Sequence, residues 1–338
     1  MSDVDLRSDT VTQPSAKMKE TMMKAPLGDD VFGDDPSVNL LEEYAANLFD
    51  KQAALFCPSG TMTNQLAISV YAAPGDEVIC HQDSHIYKYE GGGIARHAGA
   101  SVHLITGNNG RIKPEQVTAG INPDDIHQPV TALVALEDTV NRGGGAIYDF
   151  ENIQTISEIC KAHDLPLHLD GARVFNALVE TGISTKIYGK PYDSISICLS
   201  KGLGAPVGSL LLGSNDFIRK ARRARKAFGG GMRQAGMLAA AGLYALQNNI
   251  LRLKDDHARA NRLASCLEDM PWVSKVMKVE TNIVVIELSK PEDRSIILKR
   301  LKEGGVRAIP FAKGIRMVTH LDIDDSKLDQ ACNVIQAI

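Results

Sequence analysis

The chain has 338 residues, of which 44% are hydrophobic, 23% charged and 5% aromatic, and its 37 basic and 41 acidic groups leave a net charge of −4. Such a length predicts one large α/β domain with a smaller companion. The mixed, nearly neutral charge excludes a polybasic surface for nucleic acid or membrane, and the 29 dispersed glycines exclude a collagen repeat and suit tight strand-to-helix turns.

Residues 1–35 carry little periodicity and are expected to wrap across the large domain. The first dozen residues are polar and lack the apolar core of a signal peptide, and no apolar run approaches the roughly 20 residues of a bilayer span. The expectation is therefore a soluble, cytoplasmic protein. Leu40, Leu41, Tyr44 and Leu48 mark a helical stripe, and 53–57 reads as a strand. A helix over 61–73 stops at the turn Pro74-Gly75-Asp76. Strands are predicted at 77–81, 101–106, 131–137, 167–170, 194–199 and 209–212, with helices between them, clearest at 150–163. Strands alternating with helices imply a mostly parallel sheet covered on both faces, with its chemistry beyond the strand carboxyl ends. Residues 36–249 thus form the large domain. From 250 a polar helix, short strands at 273–279, 282–288, 307–311 and 316–319 and a final helix read as a small α+β domain, 250–338. The six cysteines, Cys57, Cys80, Cys160, Cys198, Cys266 and Cys332, form no Cys-x-x-Cys pair and read as buried, reduced thiols.

Asp170 ends one predicted strand and Lys201 follows the next, so both project from one sheet edge. A lysine amine and a carboxylate so placed suit pyridoxal phosphate, the amine to bond its aldehyde and the carboxylate to keep its pyridine nitrogen protonated. Pro58-Ser59-Gly60-Thr61, between a strand and a helix, forms an anion cradle of backbone N–H groups and the Thr61 hydroxyl. His81 and His85 are spaced for one helical face but straddle a strand end, so no metal site is expected; His85 is placed to cover a flat ring or act as a base. By itself His127 reads as a surface residue, and His168 as a core histidine. Arg219 to Lys226 reads as a solvated helix face. The glycine run after it would let Lys226 and Arg233 reach an anion in the same or a neighbouring subunit. Arg316, on a short apolar strand, suggests a carboxylate fork, with a surface ion pair as the plainer reading.

In this order the motifs resemble the threonine aldolase family, of the low-specificity and L-allo-threonine type. They run from Leu6-Arg7-Ser8-Asp9-Thr10-Val11-Thr12 through Gly28–Pro36, Pro58-Ser59-Gly60-Thr61, His85-Ile86-Tyr87, Leu169–Arg173, Ile197–Gly204 and Gly229–Gln234 to Arg316–Leu321. The resemblance implies the aspartate aminotransferase-like fold (fold type I), pyridoxal phosphate, and retro-aldol cleavage of β-hydroxy-α-amino acids to glycine and an aldehyde. It makes Lys201 the Schiff-base lysine, Asp170 the partner of the pyridine nitrogen and His85 the ring-stacking residue. Gly60 and Thr61 would hold the phosphate, with Lys226 and Arg233 reaching it from the adjacent subunit of a homodimer or homotetramer. Ser8, Arg173 and Arg316 would grip the substrate carboxylate, Arg173 also lying among the cofactor residues, and His127 would approach the β-hydroxyl. The acceptor of the hydroxyl proton is left among His85, His127 and a water. The chain departs from the family at Phe32, where tyrosine is usual, and in Glu137-Asp138-Thr139-Val140-Asn141, where relatives read Glu-Asn-Thr-His-Asn. β-Elimination or transamination on the same fold, and a non-catalytic dimeric relative, are the competing readings.

Overall fold

The computed structural model describes residues 3–338. Its strands in chain order are β1 (Val4–Asp5), β2 (Ala53–Cys57), β3 (Glu77–His81), β4 (Ser101–Ile105), β5 (Thr131–Glu137), β6 (Leu167–Gly171), β7 (Ser194–Cys198), β8 (Ser209–Gly213), β9 (Val273–Val276), β10 (Ile283–Leu288), β11 (Val306–Arg307), β12 (Ile309–Phe311) and β13 (Gly314–Val318). The larger sheet has the order β2-β8-β7-β6-β5-β3-β4, parallel except where β8 runs against both its neighbours. Its central strands are buried along their whole length, as strands covered by helices on both faces must be. The smaller sheet, β12-β13-β10-β9, is antiparallel and has its own core around Leu263, Val284, Ile286, Leu301 and Leu328.

Each helix that opens on the site edge has a local reason to start where it does. Ser59 accepts the amide of Met62 and caps the helix Gly60–Tyr71, which begins directly beyond β2. Beyond β6, Arg173 precedes the helix Val174–Thr181. Gly204, at φ +79°, closes the turn after β7 by donating its N–H to Lys201 O at 2.8 Å.

Three features differ from the sequence expectations. The N-terminal segment does not only cross the large sheet's domain: β1 pairs in parallel with β11, and Val4 and Leu6 enter the small core. A helix, Ala16–Met23, lies in the stretch that lacked periodicity; only Met18 is fully buried on it, so no apolar stripe advertised it. The cysteines are not all free thiols. Helices Leu253–Glu268 and Asp325–Gln336 pack together and bring Cys266 and Cys332 into a disulfide, with Cα atoms 5.8 Å apart. Cys57, Cys80, Cys160 and Cys198 are free and buried. Among the described residues no helix is long and apolar enough to cross a membrane.

Candidate active site

Strands β5, β6 and β7 end side by side, with Glu137 opposite Asp170 and Asp170 opposite Ser196. Asp170 is buried, and its two oxygens accept from Asn64 Nδ2 at 3.0 Å and from the Ala172 amide at 3.2 Å. Asn64 also donates to Glu90 Oε1 at 2.9 Å, so one amide group ties two carboxylates together. Its carbonyl faces His168 Nε2 at 3.2 Å, and Ser194 Oγ lies 2.8 Å from the other ring nitrogen. Burial lowers the His168 pKa to about 4, so this histidine is neutral and structural, as expected of a core residue.

Glu90 is the centre of the network. It accepts from Asn64, from Gln65 Nε2 at 2.6 Å and from His85 Nδ1 at 2.9 Å. The His85 amide donates to Glu137 Oε2 at 2.8 Å. One nitrogen of His85 and one oxygen each of Glu90 and Asp170 lie within 4.8 Å of one another, and hydrogen bonds from Asn64 and His85 already occupy this cluster. Burial works against the His85 imidazolium, but the Glu90 hydrogen bond and the charge of Asp170 outweigh it and raise the pKa above the usual histidine range. Burial, with Asp170 nearby, pushes Glu137 up to about 7. Lys201 is half-buried and lies in the field of both His85 and Asp9.

A second group around Asp9, which also feels the Lys201 charge, is built from arginines. Arg173 is buried and grips Asp9 with two bonds, Nε to Oδ2 at 2.8 Å and Nη2 to Oδ1 at 2.7 Å. It is therefore engaged within the chain rather than free to take a substrate carboxylate alone. Burial alone would raise Asp9, but Arg173 beside it holds the carboxyl well below the usual carboxylate range. Ser8 caps the short turn that presents Asp9, accepting from the Thr10 amide. Arg316 projects from β13, is 7% exposed, and leaves its buried Nε without a hydrogen-bond partner. Burial and then the Arg173 charge lower its pKa to about 10.

Gly60 and Thr61 open the helix after β2, and Ser209 Oγ, buried and without a partner, stands 3.6 Å from where a Gly60 side chain would begin. The remaining expected residues are not brought to this place by the chain. His127 sits on an exposed loop with an 82% exposed side chain, bonded to Asp125 Oδ1 at 2.8 Å, because the polar loop before β5 has no apolar anchor there. Lys226 is exposed, and Arg233 is exposed and paired with Asp29 at 3.0 Å. The basic helix face is less solvated than expected: Arg225 is buried on Asp30 at 2.7 Å, and Arg222 pairs with Glu42 at 2.6 Å.

The sequence departures are resolved individually. Phe32 is 76% exposed beneath Arg233. Val140 is buried in the main core. Asp138 does not add charge beside Asp170: its carboxyl turns to the Tyr188 hydroxyl, and burial pushes it up to about 7. Asp9, Asn64 and Glu90 escaped sequence reasoning. Asp9 lay inside a motif already noticed. Asn64 sits one helical turn beyond Gly60, a spacing that was its only signal.

Comparison with known proteins follows the same lines. The family model described as beta-eliminating lyase matches residues 5–291. The low specificity L-threonine aldolase of Escherichia coli (strain K12) is 44% identical over 326 residues, covering 96% of each chain. The solved structure of Leishmania major threonine aldolase superposes with a TM-score of 0.85 at 21% identity over 99% of both chains. The solved structure of SPT with the PLP internal aldimine superposes with a TM-score of 0.75 at 18% identity, over 99% of this chain and 87% of that one. These last two likenesses concern the fold alone.

Proposed function

The chain belongs to the beta-eliminating lyase family, in its threonine aldolase branch, and from that premise we propose that it cleaves L-threonine and L-allo-threonine reversibly to glycine and acetaldehyde with pyridoxal phosphate as cofactor. The observation that carries this reading is the buried Asp170 carboxylate, fixed by Asn64 at the end of β6, beside the Lys201 turn after β7. The residues fit the cofactor. Asp170 offers the anchored carboxylate that a pyridinium nitrogen requires, and the unpartnered Ser209 hydroxyl beside Gly60 is a buried donor that a phosphate would satisfy. Lys201, Asp170, His85, Gly60 and Thr61 would hold the group, which when bound supplies an electron sink for the pair left on Cα.

Arg316 is the residue for the substrate carboxylate, since a bound anion would relieve its orphaned Nε. Arg173, already neutralised by Asp9, stiffens that wall, and Ser8 steadies the turn beneath it. Holding the carboxylate would restrict rotation of the bound amino acid about its Cα and so would orient the Cα–Cβ bond for cleavage. Glu90 occupies Nδ1 of His85, which leaves Nε2 as the nitrogen that takes the β-hydroxyl proton, directly or through a water. Lys226 and Arg233 serve the phosphate of a second copy, so the active unit is at least a homodimer. Exposed Phe32, which lies beneath Arg233, gives that contact an apolar component.

The experiment is a product analysis with L-threonine. Glycine and acetaldehyde are expected in equal amounts, from a yellow protein whose visible band is lost on borohydride reduction with mass added at Lys201. Release of 2-oxobutyrate and ammonia instead would overturn the aldolase reading.

A further inference from the structure

The arginine wall holds more positive charge than an amino acid with one carboxylate can use. Arg173 is matched by Asp9, and Arg316 has no ion-pair partner among the described residues. A third guanidinium, Arg142, stands beside them. Its Cζ lies 3.9 Å from the ring centroid of Phe311 and 5.9 Å from that of Tyr89, whose ring is itself 5.7 Å from His85. Phe311 ends β12, which pairs with β13, the strand that carries Arg316. The Arg142 charge also works against the Arg316 cation, after burial and the Arg173 charge.

Among the described residues Arg142 meets aromatic rings and no acid at ion-pair distance. Its loop is fixed from the large sheet by the Asn141 amide on Glu137 Oε1 at 2.8 Å, and from the small unit by Thr281 Oγ1 on Gly145 O at 3.0 Å. Stacking on Phe311 engages the planar face of a guanidinium and leaves its N–H edge for a ligand. The methyl group of threonine offers that edge nothing.

We propose that the site also takes β-hydroxy-α-amino dicarboxylic acids, with Arg316 on the α-carboxylate and Arg142 on a carboxylate carried by the β-carbon. The proposal rests on the aldolase reading and names a substrate class for the same site. With 3-hydroxyaspartate the Cα–Cβ bond breaks and the hydroxyl proton leaves as Cβ becomes the aldehyde carbon of glyoxylate. Cα keeps the electron pair and takes up a proton to give glycine. No oxidant or further reactant enters.

The test compares kcat/KM for 3-hydroxyaspartate and L-threonine in the wild type, Arg142→Leu and Arg142→Lys. The ratio of the two constants is expected to fall roughly tenfold or more in Arg142→Leu and to recover in part in Arg142→Lys. An unchanged ratio, or a wild type that cleaves threonine but not 3-hydroxyaspartate, overturns the proposal and leaves the aldolase reading intact. A wild type that cleaves neither removes both. Calorimetric titration of the wild-type holoprotein supplies a readout free of turnover and of variant folding. Succinate should bind roughly tenfold tighter than acetate or better, and equal affinities overturn the proposal.

Discussion

The two walls whose charges act on Lys201 are finished to different degrees. On the Asp170 side every principal carboxylate has its donors within the chain: Asn64 serves Asp170 and Glu90, Gln65 and His85 serve Glu90, and backbone amides serve Glu137. On the arginine side one acid, Asp9, stands among three guanidinium groups, and Arg316 keeps a buried Nε–H with nothing to bond. A wall satisfied from within is set before any ligand arrives and positions a resident group. A wall left short of negative charge is completed only by an anionic ligand, and its cost is recovered on binding.

The largest expected effect comes from removing the residue that joins the walls. Lys201→Ala should fall below roughly 10⁻³ of wild-type turnover and lose the visible band. Glycine release and the absorption spectrum check this, and a variant that keeps appreciable turnover would separate Lys201 from the chemistry altogether. Next in size is Asp9→Asn, which strips the arginine wall of its internal counter-charge. Leaving Arg173 buried and unpaired should cost about 3–5 kcal/mol of stability, measured by denaturant titration near neutral pH. Because the native Asp9 pKa is depressed below its unfolded value, the pair stabilises fully above pH ~4, and this is lost as pH falls further. The deficit of the variant should therefore shrink in acid. A deficit independent of pH would mean that the ion pair is not its source.

The satisfied wall is probed by Glu90→Gln, with a smaller effect. Glu90 contributes to holding the His85 pKa above its usual value, so its loss should move the His85 limb of the kcat/KM profile to lower pH. The ring then carries less proton near neutrality, but it loses basicity and the carboxylate that orients it through Nδ1, so turnover there should still drop about tenfold. An NMR titration of the imidazole distinguishes this from a packing defect, which would lower activity without moving the titration.

How far the sequence disclosed these walls follows from the kind of signal each residue carries. Strand β5 was legible as a continuous apolar run, and β6 and β7 as short buried segments rich in Leu and Ile, while Asp170 and Lys201 were legible because they lie at or just beyond the ends of such segments. Arg316 stood out as a charge in an apolar strand. Asp9, Asn64 and Glu90 gave no such signal. Their roles depend on contacts over long sequence separations, from Asp9 to Arg173 and from Asn64 to Asp170, and periodicity does not report those. The Cys266–Cys332 bridge was hidden in the same way, since two helices far apart in the chain must pack before the thiols meet.

The smallest effect tests whether Asp138, next to Glu137 in sequence, belongs to the satisfied wall. Its amide donates to Asp170 O at 3.0 Å, but its carboxyl points away, accepts from the Tyr188 hydroxyl and leaves Oδ1 buried without a partner. Burial pushes this carboxyl up to about 7, so between its unfolded value and pH 7 the native state binds the extra proton. The stabilisation tied to that proton is complete at pH below ~4 and disappears as pH rises through about 7. Asp138→Asn has no proton to lose. Its buried amide costs about 1–3 kcal/mol wherever it lacks an acceptor, and this offset does not change with pH. The stability of the variant relative to wild type should therefore climb between pH 5.5 and 8.5 by on the order of 2 kcal/mol, whatever its starting sign. Glu137 titrates in the same range in both proteins and cancels from the difference. Melting temperatures across that range, together with the cofactor spectrum, provide the measurement. A flat difference would mean that Asp138 is already ionised in the fold, and a shifted spectrum would return it to the wall around Asp170.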